Sequence, residues 1–179
     1  SKNSNITWND IKEKPDLNWS WKILSANPTV PFDLVKKLSN KSWCWYTLSK
    51  TLSLEIIKQH PLEKWSWYSM SSNPNLTCEF IEDNLDKEWN EYELYNNMDI
   101  KWNFKTLNKI KDQNKKSVLN PWICLCDNLN LSSIDIQKNI NKKWDFEALS
   151  MHPNLTINCV KANINQKWDW CKLSKNIPW

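Results

Sequence analysis

The carboxylates of residues 79–93 form the densest group of potentially catalytic side chains in this sequence. They are Glu79, Glu82, Asp83, Asp86, Glu88, Glu91 and Glu93. Paired carboxylates can serve as general acid and base or bind a cation, and two of them, Glu79 and Asp83, share one helix face at a spacing of four residues. The two histidines, His60 and His152, lie elsewhere and each precedes a proline. We therefore interpret the cluster as a solvated acidic patch able to complement a lysine-rich segment, and we expect no catalytic residue.

The cysteines are the next candidates for chemistry, as metal ligands or disulfide partners. They are Cys44, Cys78, Cys124, Cys126, Cys159 and Cys171. Each stands at a different place within the repeating pattern of the chain, whereas a framework inherited by duplication would recur. A single residue separates Cys124 from Cys126, which is the wrong spacing for a zinc knuckle. We predict reduced cysteines that fill small apolar spaces, with no metal site and no cofactor.

Lysines recur one or two positions before a repeated tryptophan, and others gather in one segment. The recurrent set is Lys41, Lys64, Lys87, Lys143 and Lys167, and the segment holds Lys109, Lys111, Lys115 and Lys116. The recurrent set suggests a cationic track for nucleic acid or an acidic protein. The favoured alternative is that each lysine follows a short helix, where a cation interacts well with the helix dipole. The lysine-rich segment is a better candidate for a partner contact, although a solvated loop explains it too.

The missing residue types exclude several functions. The chain has no glycine and no arginine among its 179 residues. Without glycine it has no phosphate-binding loop and no dinucleotide fingerprint; without arginine it has no bidentate clamp for phosphate or guanine. The net charge of +4 permits an acidic partner but does not require one. No apolar run is long enough to span a membrane and no signal peptide is visible, so we expect no membrane partner.

A short sequence pattern that contains tryptophan occurs seven times. Its anchors are Thr7, Pro31, Ser53, Thr77, Lys101, Ser132 and Thr156. In six copies a tryptophan follows 12 residues after the anchor, and Trp122 is interpreted as the displaced seventh. A fixed period of this length predicts a solenoid in which each repeat buries its apolar face against its neighbours.

The tryptophans are predicted to be core residues. We assign to the core Trp19, Trp21, Trp43, Trp45, Trp65, Trp67, Trp89, Trp122, Trp144, Trp168 and Trp170. A stacking platform for single-stranded bases is the alternative, but it requires exposed rings. Trp8 and Trp102 directly follow an anchor, and we predict that they are surface rings for a partner or intrude at a neighbouring contact.

Each repeat is expected to contain two short helices. The anchor caps the first helix, and an asparagine such as Asn84, Asn139 or Asn163 closes it in the left-handed conformation. The second helix, α or 3-10, follows the tryptophan, because Ser, Asn or Asp comes next as a cap. The prediction is an all-α, right-handed α-solenoid of about seven repeats of 22–24 residues.

The repeats define one domain over residues 1–179. The units are 7–30, 31–52, 53–76, 77–100, 101–131, 132–155 and 156–179. The fifth unit is longer, and we predict that residues 108–121 form a polar inserted loop.

The elements of the chain recur in the order Asn-Pro-x-Leu-Thr, a short helix, Lys-x-Trp, a second short helix and Leu-Ser. In this order the chain resembles the tryptophan-rich short repeats of mimivirus-like giant DNA viruses. The resemblance is strongest over 73–89 and 143–173 and weaker over 89–130. The layout is also similar to leucine-rich-variant repeats, although tryptophan replaces their small apolar residues and their arginine is absent. Neither family implies an enzymatic activity. Reduced cysteines predict an intracellular, reducing location, and the resemblance implies the host cytoplasm, the virus factory or the virion.

Three functions remain after this sequence analysis. The first is a non-catalytic scaffold that binds another viral or host protein, or itself through the ends of the solenoid. The second is a nucleic-acid-binding solenoid that uses lysine and tryptophan. The third and least favoured is an enzyme.

Overall fold

A computed structural model describes residues 6–113 and 117–177. These residues form short helices joined by turns, without a β-strand in the described ranges, so the predicted all-α class is confirmed. The chain divides into two compact units, residues 1–73 and residues 74–179.

The first unit contains three pairs of helices among its described residues. They are α1 (Trp8–Glu13), α2 (Trp21–Ser25), α3 (Phe32–Lys37), α4 (Trp45–Thr51), α5 (Leu54–Gln59) and α6 (Trp67–Met70). The second helices of the pairs stack in order, because α4 packs against both α2 and α6. Helices this short are unstable alone, so their stability comes from this packing.

The second unit continues the same alternation with four pairs in its described part. The helices are α7 (Cys78–Glu82), α8 (Glu91–Tyr95), α9 (Phe104–Gln113), α10 (Pro121–Cys124), α11 (Ser133–Lys138), α12 (Phe146–Leu149), α13 (Ile157–Ala162) and α14 (Trp170–Asn176). A 3-10 helix, Leu125–Asp127, directly follows α10. First helices pack on first helices, as α7 does on α9 and α11 on α13.

The predicted caps begin most of the helices. The hydroxyls of Thr7 and Ser132 accept from the backbone N–H of Asp10 and Asp135, whose carboxylates accept in return, which completes two capping boxes. The second helices begin two residues after the tryptophan, as predicted: Ser20 and Asp145 cap α2 and α12. Six tryptophans therefore lie just outside a helix.

The predicted left-handed helix ends are wrong. No described residue has a positive φ. Instead, the side chains of Asn84, Asn139 and Asn163 donate to the carbonyl four residues earlier, over 2.8–3.0 Å. Because this bond satisfies an exposed helical carbonyl, the chain leaves the helix without the glycine-like conformation that an L-residue adopts only at a cost.

The fifth repeat departs most from its prediction. Its first helix does not begin after Lys101 but at Phe104, where the side chain of Asn103 accepts from the backbone N–H of Thr106. Lys101 has no short side-chain acceptor, whereas Asn103 has one. Residues 108–113 belong to α9 and residue 121 opens α10, so the predicted loop 108–121 is wrong at these positions. Residues 117–120 are outside the helices, and residues 114–116 lie outside the described residues. Burial of Leu107 and Ile110 explains the extension of α9.

Candidate interaction surface

The repeated tryptophan closes the turn between the two helices of a pair. Its indole N–H donates to the carbonyl five residues earlier, at or beside the end of the first helix. The pairs are Trp19–Lys14, Trp43–Leu38, Trp65–His60, Trp89–Asn84, Trp144–Asn139 and Trp168–Asn163, at 2.7–3.0 Å. One side chain thus satisfies an orphan helical carbonyl and fixes the path of the turn.

A second aromatic residue joins one pair to the next at four places. It lies in the first turn of the second helix and packs edge-on against the tryptophan of the following repeat. The ring centroids are 4.9–5.2 Å apart in Trp21–Trp43, Trp45–Trp65, Trp122–Trp144 and Phe146–Trp168. Edge-to-face contacts at this distance are favourable.

These contacts revise the role of Trp122. It was interpreted as a displaced copy of the repeated tryptophan. However, its ring packs against Trp144 in the same way that Trp21 packs against Trp43. Asn120 stands two residues before it and caps α10. Trp122 is therefore the second aromatic of its repeat, and the repeated tryptophan is replaced by asparagine.

Buried serines form a second link between consecutive repeats. Ser25 and Ser49 each donate a hydroxyl hydrogen to the carbonyl four residues earlier, and each accepts the backbone N–H at the start of the next second helix, from Cys44 and Ser66. In the second unit Ser150 does the same with Asp169. Both hydrogen-bonding capacities of these buried hydroxyls are used.

Most of the predicted core tryptophans are used by this packing. Trp43, Trp65, Trp122, Trp144 and Trp168 are buried. Trp19, Trp21, Trp45, Trp67 and Trp89 are half-buried. Trp170 is 48% exposed, so its assignment to the core is wrong.

The two tryptophans predicted to face a partner behave differently. Trp102 is 7% exposed, and its ring centroid lies 6.0 Å from that of Tyr95. The surface prediction is therefore wrong for Trp102, because the shifted start of α9 leaves it in an apolar turn. Its indole N–H has no hydrogen-bond partner among the described atoms. Trp8 is half-buried, donates to the hydroxyl of Thr29 over 3.3 Å, and lines a cavity of about 190 Å³.

The recurrent lysines have different surroundings. Lys41 lies 2.7 Å from the carboxylate of Asp16 and 6.0 Å from the ring centroid of Trp21. Lys87 donates a hydrogen bond to the carboxylate of Asp86 over 2.8 Å, and this bond lowers the pKa of the Asp86 carboxyl. Lys64, Lys143 and Lys167 are exposed. A cation that the sequence pattern missed, Lys142, lies 5.7 Å from the ring centroid of Trp122.

The lysine-rich segment is partly engaged within the chain. Lys109 pairs with Glu82, as expected if the acidic patch complements this segment. Thr106 also donates to Glu82 over 2.6 Å, and the two bonds lower the pKa of the Glu82 carboxyl. Lys111 is exposed. Lys115 and Lys116 lie outside the described residues.

Exposed tyrosines at one place of the repeat pattern are the feature that the sequence analysis missed. Tyr46, Tyr68 and Tyr92 each follow the repeated tryptophan by three residues and are 55%, 58% and 58% exposed. More than half of each tyrosine is exposed, so burial in the core does not explain a large aromatic residue at this place. These tyrosines are regularly spaced in the sequence, but the more numerous tryptophans dominate the same repeat pattern.

Comparison with protein-family models, curated proteins and solved structures found no match to this chain. Functional inference therefore depends on the surface itself. No helix in the described ranges is both long and apolar enough to cross a membrane. The described residues also hold no group of three or more His, Cys, Asp or Glu side chains placed to bind a metal ion.

Proposed function

We propose that this chain is a right-handed α-solenoid of seven two-helix repeats that acts as a non-catalytic scaffold and binds another protein. The main support is the recurrence of an exposed tyrosine, Tyr46 and Tyr68 in the first unit and Tyr92 in the second. Large rings at one recurrent, exposed position are not needed for the core, and tyrosine is enriched in protein interfaces. The indole, serine and edge-to-face contacts recur from repeat to repeat, as expected of a solenoid.

The electrostatics of the acidic patch argue against a general acid at two of its carboxylates, Glu82 and Asp86. A general acid requires a raised carboxyl pKa at neutral pH. The pKa values of Glu82 and Asp86 are instead lowered, first by side-chain hydrogen bonds from Lys109 and Lys87. These carboxylates are ionised at pH 7 and neutralise cations of the chain itself.

The resemblance to repeats of giant DNA viruses suggests where such a scaffold works. We infer an intracellular, reducing location in an infected cell and a viral or host protein as the partner. Burial raises the pKa of the Cys126 and Cys159 thiols and keeps them protonated, so both serve as small apolar core residues.

A site-specific cross-linking experiment tests the proposal. A photo-reactive phenylalanine analogue would replace Tyr68 in one variant and Ile134 in a matched variant, because both residues are exposed. Illumination in cells that contain the protein should join a specific protein to position 68 and not to position 134. The purified partner should then bind the unmodified chain and lose affinity for the Tyr68→Ala variant.

Two results would count against a protein-binding scaffold. Equal cross-linking at positions 68 and 134 would indicate random collision. Cross-linking of position 68 to RNA or DNA would favour the nucleic-acid-binding alternative, especially if purified single strands bind with a steep salt dependence.

A further inference from the structure

The second helices of the first unit present one continuous stack in which two tyrosines are neighbours. Helix α4 packs against α2 on one side and α6 on the other. The hydroxyl of Ser69, the residue after Tyr68, donates to the carbonyl oxygen of Tyr46 over 2.7 Å. The backbone segments that carry the two tyrosines are therefore in direct contact.

This surface is aromatic and cationic. Lys22 occupies in α2 the place that Tyr46 has in α4, and Lys50 lies one turn after Tyr46. Both lysines and both tyrosines are exposed. The second-helix segments 20–27, 44–52 and 66–73 contain no aspartate or glutamate. We call this set of four side chains, Lys22, Tyr46, Lys50 and Tyr68, the tyrosine–lysine face.

The spacing of the helices suggests the conformation of the ligand. Packed helices lie about 8–10 Å apart, so equivalent side chains on α4 and α6 recur at about that distance. A polyproline II helix has three residues per turn and rises about 3.1 Å per residue, and therefore repeats one face about every 9 Å. A proline at every third residue can thus meet one tyrosine ring after another.

We propose that the tyrosine–lysine face binds an acidic, proline-rich segment of another protein in the polyproline II conformation. Proline rings lie on Tyr46 and Tyr68, and carboxylates of the segment face Lys22 on α2 and Lys50 on α4. The segment is already extended before it binds, so it loses little conformational entropy. This inference rests on the proposed scaffold function and names the chemistry of its partner.

The charge of the face favours this ligand over a nucleic acid. Two lysines, Lys22 and Lys50, without any arginine in the chain, neutralise few phosphates. Carboxylates spaced by prolines need only single cations, which Lys22 supplies on α2 and Lys50 on α4. Tyrosine also offers a hydroxyl donor to the peptide backbone, as aromatic grooves that bind proline-rich ligands do.

Fluorescence anisotropy with a labelled peptide tests the proposal. The probe has four Glu-Pro-Pro triplets, and its matched controls have four Lys-Pro-Pro triplets and four Glu-Gly-Ser triplets. The first peptide should bind the full chain measurably at low salt. The basic peptide tests charge and the glycine–serine peptide tests the extended conformation, so both should bind at least about tenfold more weakly.

Variants assign the binding to the tyrosine–lysine face. Tyr46→Ala and Tyr68→Ala should each weaken binding about fivefold by loss of ring contact, while Tyr68→Phe should retain most of it. Lys22→Ala should weaken binding mainly at low salt. Ile134→Ala, exposed in the second unit, should leave binding unchanged, and thermal melting should show that all variants fold.

The proposal is overturned if the acidic proline-rich peptide does not bind, if the basic peptide binds as well, or if the tyrosine variants bind like the wild type. Competition by a dodecamer of thymidine that is lost in the same variants would assign the face to single strands instead. Cross-linking of a protein at position 68 without peptide binding would leave the scaffold function standing and reject only this ligand class.

Discussion

The imidazole of His152 joins parts of the chain that are 24 residues apart. Its Nε2 lies 3.0 Å from the carbonyl oxygen of Asn128, and its Nδ1 accepts the backbone N–H of Asn154 over 3.1 Å. Asn128 makes the corresponding two contacts one repeat earlier, with the carbonyl of Asn97 and the N–H of Asn130. A buried histidine in the Nε2–H form therefore replaces asparagine in this position.

Two substitutions of His152 should show how much its hydrogen bonds contribute to the free energy of unfolding. His152→Asn restores the residue of the neighbouring repeats and should change the free energy of unfolding by less than about 1 kcal/mol, whereas His152→Ala should cost about 1–3 kcal/mol because buried polar groups lose partners. Urea unfolding followed by circular dichroism measures both. Equal stability of the two variants would show that these bonds contribute nothing.

Removal of the indole donor from Trp144 should destabilise the second unit. Trp144→Phe keeps an aromatic ring but leaves the carbonyl of Asn139 without its 2.8 Å bond, and should cost about 2–4 kcal/mol from the unmade bond and the lost volume. The control is Trp170→Phe, because that ring is half exposed; it should cost less than about 1 kcal/mol. Similar losses in both variants would contradict the role assigned to the indole.

Proline substitution tests whether residue 108 is helical. Asn108→Pro falls inside α9 and should destabilise the protein by about 3 kcal/mol, because proline removes a helical bond and clashes with the preceding turn. Val118→Pro, at an exposed position outside the helices, is the matched control and should have little effect. A harmless Asn108→Pro would restore the inserted loop that the sequence suggested.

The cysteines should differ widely in their reaction with iodoacetamide. Only the thiolate reacts, and burial raises the pKa of the Cys126 thiol to about 12, whereas a hydrogen bond from Thr47 lowers that of Cys44. At pH 8 the native protein should be alkylated at Cys44 and the exposed Cys171 long before Cys126. Mass spectrometry of timed samples measures the order, and denatured protein supplies the control in which Cys126 reacts freely.

The helix starts could be predicted from the sequence because capping is local. Thr7, Ser20 and Asp145 accept from backbone donors two or three residues ahead, so their type and position suffice. The helix ends could not, since an asparagine can end a helix either in the left-handed conformation or through its side chain, and its residue type does not decide between the two. The carbonyl of Asn139 is satisfied by an indole that only the folded turn brings close.

The burial of individual tryptophans could not be predicted from the repeat pattern either. Trp21 and Trp170 stand in the same place of the repeat pattern, two residues after a tryptophan. Trp21 is covered by the ring of Trp43 from the next repeat, whereas Trp170 is half exposed. Burial of such a ring is decided by its neighbour rather than by its own motif, so a local pattern cannot assign it.

The hydroxyls of Ser25, Ser49 and Ser150 each donate one hydrogen bond and accept another. This pattern has a consequence for how such a chain can lengthen. Each of these serines brings a hydroxyl acceptor for the amide that begins the second helix of the copy after it. A duplicated segment that carries such a serine therefore brings the acceptor that the next copy needs. Gene duplication can in this way extend a run of such copies, and selection can then alter the outward tyrosine position of each copy independently.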